Sequence, residues 1–449
     1  MSSSTLAPLA DQQAPSLHPE PTATPHWSLP AKIAFRFAFL YLVLYMFCNG
    51  NVTVFTIFQP FPSVERFLRP ILFQPLASLT QWWAVRAFHL TGIAATWHFD
   101  GSGDTALNYL LCVTFLGIAL AGTLLWSLLD RRRPHYQTLY AWLRFLIRLN
   151  VGMGMLQYGF YKVFPIQMQP PNLAVLNEPL GQTSPMTLLW TLLGLSPWYE
   201  RVCGLAEVLG GLLILFRRTA FTGALLSAFV MTNVVLYNFF FDVPVKLYAV
   251  HLLLMAVFVM LPDLKPLWDF LVLHRPAQLQ GVWVPPASRL GFRRATAIVE
   301  VAFFVFAIAG YLKYDSERYH AYTASVRPSP LIGLWTLDAA SPPPRMIAGT
   351  PWQEISIDNL TRGMARSPDG QLWRMILTEN DAAHTLKMTS RGGSGAVTYT
   401  WSVPAPNHLI LTTSGPAAAT MTLTRVPTPA TYSVLTRGFH LVSEWGYER

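Results

Sequence analysis

The chain has 449 residues, 52% of them hydrophobic and only 12% charged. Soluble domains carry about a quarter charged residues, so this composition excludes an ordinary soluble enzyme, and the 13% aromatic content excludes a disordered chain. The net charge of +9 does not point to nucleic acid: residues 328–449 hold 9 Lys+Arg against 8 Asp+Glu, so the excess sits in the apolar part of the chain.

In chain order, residues 1–30 are rich in Ser, Thr and Pro with no apolar core. They read as a disordered tail, not a signal peptide, which needs an apolar stretch. Seven segments then approach the roughly 20 apolar residues that cross a bilayer: Ala31–Asn49, Ala106–Leu128, Tyr136–Phe160, Trp198–Phe216, Thr219–Phe240, Pro244–Leu261 and Ala295–Leu312. Residues 31–313 are therefore expected to form an α-helical polytopic membrane domain, its first span an uncleaved signal anchor. Ser63–Leu79 and Gln81–His89 mix Phe, Leu and Trp with Arg and Glu, the pattern of amphipathic helices lying in the interface. From Trp97 to Thr105 the glycines give a tight turn, and Asp104 or Thr105 can cap the second span. His98, Asp100 and Asp104 are also a candidate cation set. Cys48, Cys112 and Cys203 lie in or beside spans and read as packing residues.

Basic loops mark the cytoplasmic side. Lys32 and Arg36, Arg131–Arg133, Arg217 and Arg218, and the group Lys265, Arg275, Arg289, Arg293 and Arg294 all fall on one side of seven spans. This expectation places the N-terminus in the cytoplasm and the C-terminal domain in the periplasm of a bacterial inner membrane. It also accounts for the positive charge as topology, with no nucleic-acid partner.

Charges at membrane depth are costly unless paired, so each is a site candidate. Arg144, Arg148, Val151, Met155, Tyr158 and Lys162 share one face of the third span. Cys203, Glu207, Gly210 and Gly211 share a face of the fourth, where small residues let another helix approach. By depth, Arg148 is the expected partner of Glu207 and Lys162 the second choice. Asn238, Asp242 and Lys246 follow at the end of the fifth span, with His251 in the sixth and Glu300 in the seventh. The set reads either as an ion-pair network that fixes helix packing or as the wall of a quinone, lipid-headgroup or proton site. No catalytic residue stands out.

The run Arg148-Leu149-Asn150-Val151-Gly152 through Tyr158-Gly159-Phe160-Tyr161-Lys162 resembles the first helix of DoxX-type membrane proteins, with its Arg, glycines and closing Lys. Gly204-Leu205-Ala206-Glu207 through Leu213 resembles the second helix, and Arg217-Arg218-Thr219-Ala220 with Gly223-Ala224-Leu225-Leu226 the turn and third helix. The likeness covers about residues 140–262. It implies a four-helix membrane core and a link to quinol oxidation or redox metabolism, with quinone or lipid as ligand and a possible redox partner subunit. The chain adds two spans before this core and one after it, and shows no haem ligand pair, CxxC motif or flavin loop. Three functions stay open: a binding or accessory component for a quinone or lipid, a quinone-dependent oxidoreductase subunit, and a small-anion transporter.

After residue 328 the apolar runs become short and alternate. Eight strands are expected: Ile332–Leu337, Gln353–Ile357, Gly363–Arg366, Leu372–Leu377, Thr385–Met388, Ala396–Trp401, His408–Thr412 and Met421–Arg425. Turn signals at Pro368-Asp369-Gly370 and Arg391-Gly392-Gly393 separate some of them. Their spacing predicts an antiparallel β-barrel or sandwich. Gly333-Leu334-Trp335 resembles the Gly-x-Trp opening of lipocalin-like barrels, which implies a Trp335 plug and a late arginine, Arg425 or Arg437, stacked across it. The tail, with Phe439 and Trp445, is expected to dock on the membrane domain.

Overall fold

The structure is a computed structural model that describes residues 26–50, 62–98, 102–278, 290–338, 351–359, 361–390, 396–413, 419–429 and 432–436. The predicted tail docking through Phe439 and Trp445, the turn at Arg391-Gly392-Gly393, and Asp100 of the candidate cation set lie outside these residues, as does the side chain of Glu300.

Helix α1 (Leu29–Cys48) opens with Ser28 accepting from the Ala31 N–H and Pro30 in its first turn, where a missing N–H costs nothing. Two shorter helices follow, α2 (Pro62–Leu72) and α3 (Gln74–Phe88). Their break falls at Phe73, earlier than predicted, because Pro75 starts a helix well but continues one badly. Phe67, Ile71, Trp82 and Phe88 on these helices are exposed, and Arg86 lies 4.7 Å from the Trp82 ring.

Thr105 caps α4 (Ala106–Leu129) by accepting from the Asn108 N–H. Helices α5 (Gln137–Val163), α6 (Leu173–Leu176), α7 (Pro185–Gly194) and α8 (Pro197–Leu215) follow. Next come α9 (Ala220–Phe240), α10 (Lys246–Met260) and α11 (Leu264–Leu271), the last two joined by a 3-10 turn. Among the described residues, four helical stretches are long and apolar enough to cross a membrane: Leu29–Cys48, Ala106–Leu129, Ala220–Phe240 and Lys246–Leu271. Helices α5 and α8 occupy two more of the predicted spans but carry buried charges. One core runs through the bundle, with Met46, Phe115, Ile147, Ile214, Ala224, Met255 and Tyr311 all buried in it. Leu120, Leu124, Phe229, Phe240 and Val305 are exposed on the outside, an apolar exterior suited to lipid.

Helix α12 (Leu290–Ser325) has 36 residues, about 54 Å at 1.5 Å per residue. The predicted span ended at Leu312, where the apolar run stops. The helix continues as a polar one, with Lys313 and Glu317 one turn apart on its exposed side.

All eight predicted strands form: β1 (Gly333–Leu337), β2 (Glu354–Asn359), β3 (Arg362–Arg366), β4 (Leu372–Asn380), β5 (Thr385–Ser390), β6 (Ala396–Ala405), β7 (His408–Thr413) and β8 (Thr420–Arg425). Each pairs antiparallel with the next, and β8 returns to β1 with Trp335 opposite Arg425, closing a barrel. Of the two predicted architectures, barrel and sandwich, the barrel is the one formed. The period-two alternation sends Ile355, Ile357, Met375, Leu377, Leu409 and Leu411 inward, with Trp335 and Trp401 among them. A short helix, α13 (Ser433–Thr436), follows.

Candidate functional site

The site is built where α5 and α8 approach most closely. Glycines seven residues apart face each other across the antiparallel pair. A Cβ on Gly211 would stand 2.9 Å from the Gly152 carbonyl oxygen, and one on Gly204 2.6 Å from that of Gly159. Any side chain at these positions would push the backbones apart. The close approach brings Lys162 of α5 onto Glu207 of α8. The Lys162 ammonium donates to Oε1 and Oε2 at 2.8 Å each, with both side chains no more than 5% exposed. Tyr158, one turn earlier, presents its ring 5.8 Å from the same ammonium, within cation–π range. Its other neighbours are Tyr161 at 6.0 Å and Tyr248 of α10 at 5.7 Å between ring centroids.

The expected pairing of Arg148 with Glu207 is not formed. Arg148 donates its Nε to the Ile214 carbonyl at 2.9 Å and a terminal nitrogen to the Leu215 carbonyl. Arg144 donates to the Val259 carbonyl at 2.7 Å. Both guanidiniums sit at helix C-termini, α8 for Arg148 and α10 for Arg144. There the last carbonyls lack intrahelical partners and the helix dipole is negative. Matching charge to charge by depth leaves out these carbonyls, which carry about half a negative charge at a helix C-terminus and accept from a guanidinium.

The remaining predicted residues separate into two further groups. Asn238, Asp242 and Lys246 build the α9–α10 connection. Asn238 donates to the Val245 carbonyl at 3.3 Å, and Lys246 pairs with Asp242 at 2.7 Å. Asp242 takes a left-handed backbone, φ 52°, which Asp tolerates better than most residues. Asp104, a proposed cap of the second span, instead caps α10, accepting from the Lys246 N–H at 2.7 Å and the Leu247 N–H at 3.0 Å. Both its oxygens are thus engaged by backbone donors; Asp100 of the candidate cation set lies outside the described residues. His98 bonds the Thr96 carbonyl.

His251 belongs to a separate cluster. Its Nδ1 meets the Leu247 carbonyl at 2.7 Å and its Nε2 meets the Tyr41 hydroxyl at 2.7 Å. A carbonyl only accepts, so Nδ1 carries the proton and, in the neutral ring, Nε2 accepts from Tyr41. Tyr45 stacks on the imidazole at 3.7 Å and 4°. Sequence reasoning missed these partners because Tyr41 and Tyr45 look like ordinary residues of an aromatic-rich first span. Arg36, a topological charge in the sequence, has a structural role as well. It is buried and donates to the Tyr136 hydroxyl, the Ser127 hydroxyl and the Asp130 carbonyl, tying the start of α1 to the α4–α5 turn.

The Lys162 end of the α5–α8 seam meets the barrel. The segment between α5 and α7 supplies the Met168 N–H to Glu200 at 3.0 Å, and the Leu173 N–H to Asp358 of β2 at 2.6 Å. Glu178 pairs with Arg366 of β3 at 3.7 Å, and Gln169 accepts from Arg362. Burial pushes the Asp358 carboxyl up, while the Leu173 N–H and the Ser356 hydroxyl oppose the shift. The barrel is therefore seated through β2 and β3.

At the barrel plug, Trp335 is fully buried and donates to the Leu331 carbonyl at 2.8 Å. Arg425 lies over its ring at 4.5 Å. A Cβ on Gly333 would stand 3.2 Å from that guanidinium, which gives the Gly-x-Trp spacing its reason. Arg425 therefore occupies the position expected of a late arginine; Arg437, the other candidate, lies outside the described residues.

No family model matches the chain, and no solved structure does. A segment of 77 residues is 35% identical to an uncharacterized protein, YwoB, of Bacillus subtilis (strain 168), covering 17% of this chain. The match spans 50% of that relative's length. The DoxX likeness rests on the residues quoted for it.

Proposed function

We propose that the chain is a polytopic bacterial inner-membrane protein with about seven spans, a DoxX-like core at about residues 140–262 and a periplasmic lipocalin-like barrel. In this reading it is a binding or accessory component for a lipid-soluble ligand of membrane redox metabolism, a quinone or a lipid headgroup. The shared chemistry of the two is an oxygen that accepts from an ammonium or hydroxyl. The observation that carries the reading is the Lys162–Glu207 pair beside Tyr158, a buried ion pair at 2.8 Å between two bundle helices. Replacing such a pair by apolar side chains is often neutral or stabilising, so its presence argues for use.

The topology has its own support. Arg36, Asp130, Arg133 and Tyr136 gather at one end of the bundle, as expected of a basic cytoplasmic face. Because Arg144 and Arg148 are engaged by helix-terminal carbonyls, the small-anion transporter is the weaker alternative.

Binding to the full-length protein in nanodiscs tests the reading. A labelled short-chain benzoquinone and a labelled short-chain phosphatidylglycerol are titrated separately. One of them should bind saturably and be weakened about tenfold or more by Tyr158→Phe or Lys162→Met. Two non-saturable probes, or variants that bind as the wild type does, would sink it.

A further inference from the structure

Asp315 sits on α12, three residues beyond the predicted apolar span. Its side chain is fully buried, and among the described residues neither carboxyl oxygen has a hydrogen-bond donor. The nearest cationic group is the Arg318 guanidinium, 3.8 Å away and 42% exposed. That guanidinium is shared with two aromatic faces, lying 5.1 Å from the Tyr161 ring of α5 and 5.4 Å from the Tyr314 ring. It is a distant and divided counter-charge.

The surroundings explain why no better partner is supplied. Tyr311, one turn before Asp315, is fully buried in the bundle core. Tyr319, one turn after it, packs against Phe164 at the end of α5. Lys313 and Glu317 pair with each other on the exposed side of α12. The ionisable groups that meet the Asp315 face are therefore Tyr311 and Arg318 on α12 and Tyr161 on α5, with Tyr248 of α10 beyond Tyr311. None is an unshared cation.

An ionised carboxylate without donors is strongly disfavoured in an apolar setting, and in practice the group takes up a proton instead. A hard metal ion would need about six oxygen ligands, which tyrosine rings and a helix interior do not offer. A proton needs none. Burial pushes the Asp315 carboxyl up to about 7, with Arg318 opposing the shift.

We propose that Asp315 is a proton-binding site. It seats against α5 as the neutral acid, and loss of its proton loosens α12 from the bundle and, with it, the barrel. The coupling is short and stiff. The same helix runs unbroken to Ser325, which accepts from the Thr361 hydroxyl between β2 and β3 at 3.2 Å. Arg327 just beyond pairs with Glu379 of β4 at 2.9 Å. The inference does not depend on which ligand the Lys162–Glu207 site takes.

Infrared difference spectroscopy of the full-length protein in nanodiscs, titrated from pH 5 to pH 9, tests it. A protonated-carboxyl band should be present at pH 5 and bleach near pH 7, and Asp315→Asn should remove it. Arg318→Gln should shift the bleaching to higher pH. Hydrogen exchange of residues 311–325, corrected for intrinsic rate, should rise with pH in the wild type and stay flat in Asp315→Asn. A band that survives Asp315→Asn unchanged, or exchange with the same pH profile in both proteins, would overturn the proposal.

Discussion

Lys162 places its ammonium 2.8 Å from both oxygens of Glu207, and the glycine pairs 152/211 and 159/204 hold the two helices close enough for it to do so. Removing one partner leaves the other buried and unpaired. Glu207→Leu should therefore destabilise the bundle by about 3–5 kcal/mol. Glu207→Gln keeps an acceptor for Lys162 and should fold while losing function. The double variant Lys162→Met/Glu207→Leu should recover most of the lost stability, because no charge is then stranded. Thermal unfolding in detergent of the three variants checks this. A double variant no more stable than Glu207→Leu would show that the pair's burial is not what the single substitution disturbs.

The glycine seam predicts a sharp contrast within one residue type. A Cβ at Gly204 would meet the Gly159 carbonyl at 2.6 Å, whereas one at Gly117 of α4 meets nothing within 4 Å. Gly204→Ala should cost about 1–3 kcal/mol through forced backbone separation. Gly117→Ala should leave stability unchanged or raise it slightly. The same unfolding midpoints read both, and equal effects would contradict the close-approach argument.

Asp104 anchors the start of α10 through two backbone N–H groups. Asp104→Ala should cost about 1 kcal/mol, the usual loss for a helix N-cap. Asp104→Asn, which keeps one acceptor oxygen, should retain part of it. The expected structural sign is faster hydrogen exchange confined to the first turn of α10.

The buried Asp315 carboxyl also sets a stability trend. Its pKa in the folded protein, about 7, stands above the roughly 3.9 of an unfolded chain. The folded state then binds the proton more tightly, so its contribution is greatest at acid pH and is lost as pH rises through about 7. The wild-type unfolding midpoint should fall between pH 5 and pH 8 more steeply than that of Asp315→Asn. Parallel profiles would assign the pH dependence elsewhere.

The barrel was the most legible part of the chain. Strands such as β3 and β7 alternate with a period of two and turn residues bound the runs, whereas β1 and β2 each bury three successive residues. The Gly333 and Trp335 pair pointed to a late arginine but not to which one, because the choice depends on the register of β8 opposite β1. In the membrane part, apolar length identified the helices but not their polar partners. Lys162 and Glu207 both stand out in the sequence as buried charges, but depth alone favours Arg148 as the partner of Glu207. The helix-terminal carbonyls of Ile214 and Leu215 that accept from Arg148 leave no mark among the side chains of the sequence. Asp315 escaped notice because it lies where the apolar run ends, a position that ordinarily reads as solvent.

Native mass spectrometry of gently extracted full-length protein tests the central claim most directly, because it weighs the chain together with whatever it retains. The account predicts a single adduct of quinone or lipid mass on the wild type, lost in Lys162→Met and kept in Gly117→Ala. A wild type that flies bare, or an adduct retained equally by Lys162→Met, would contradict it.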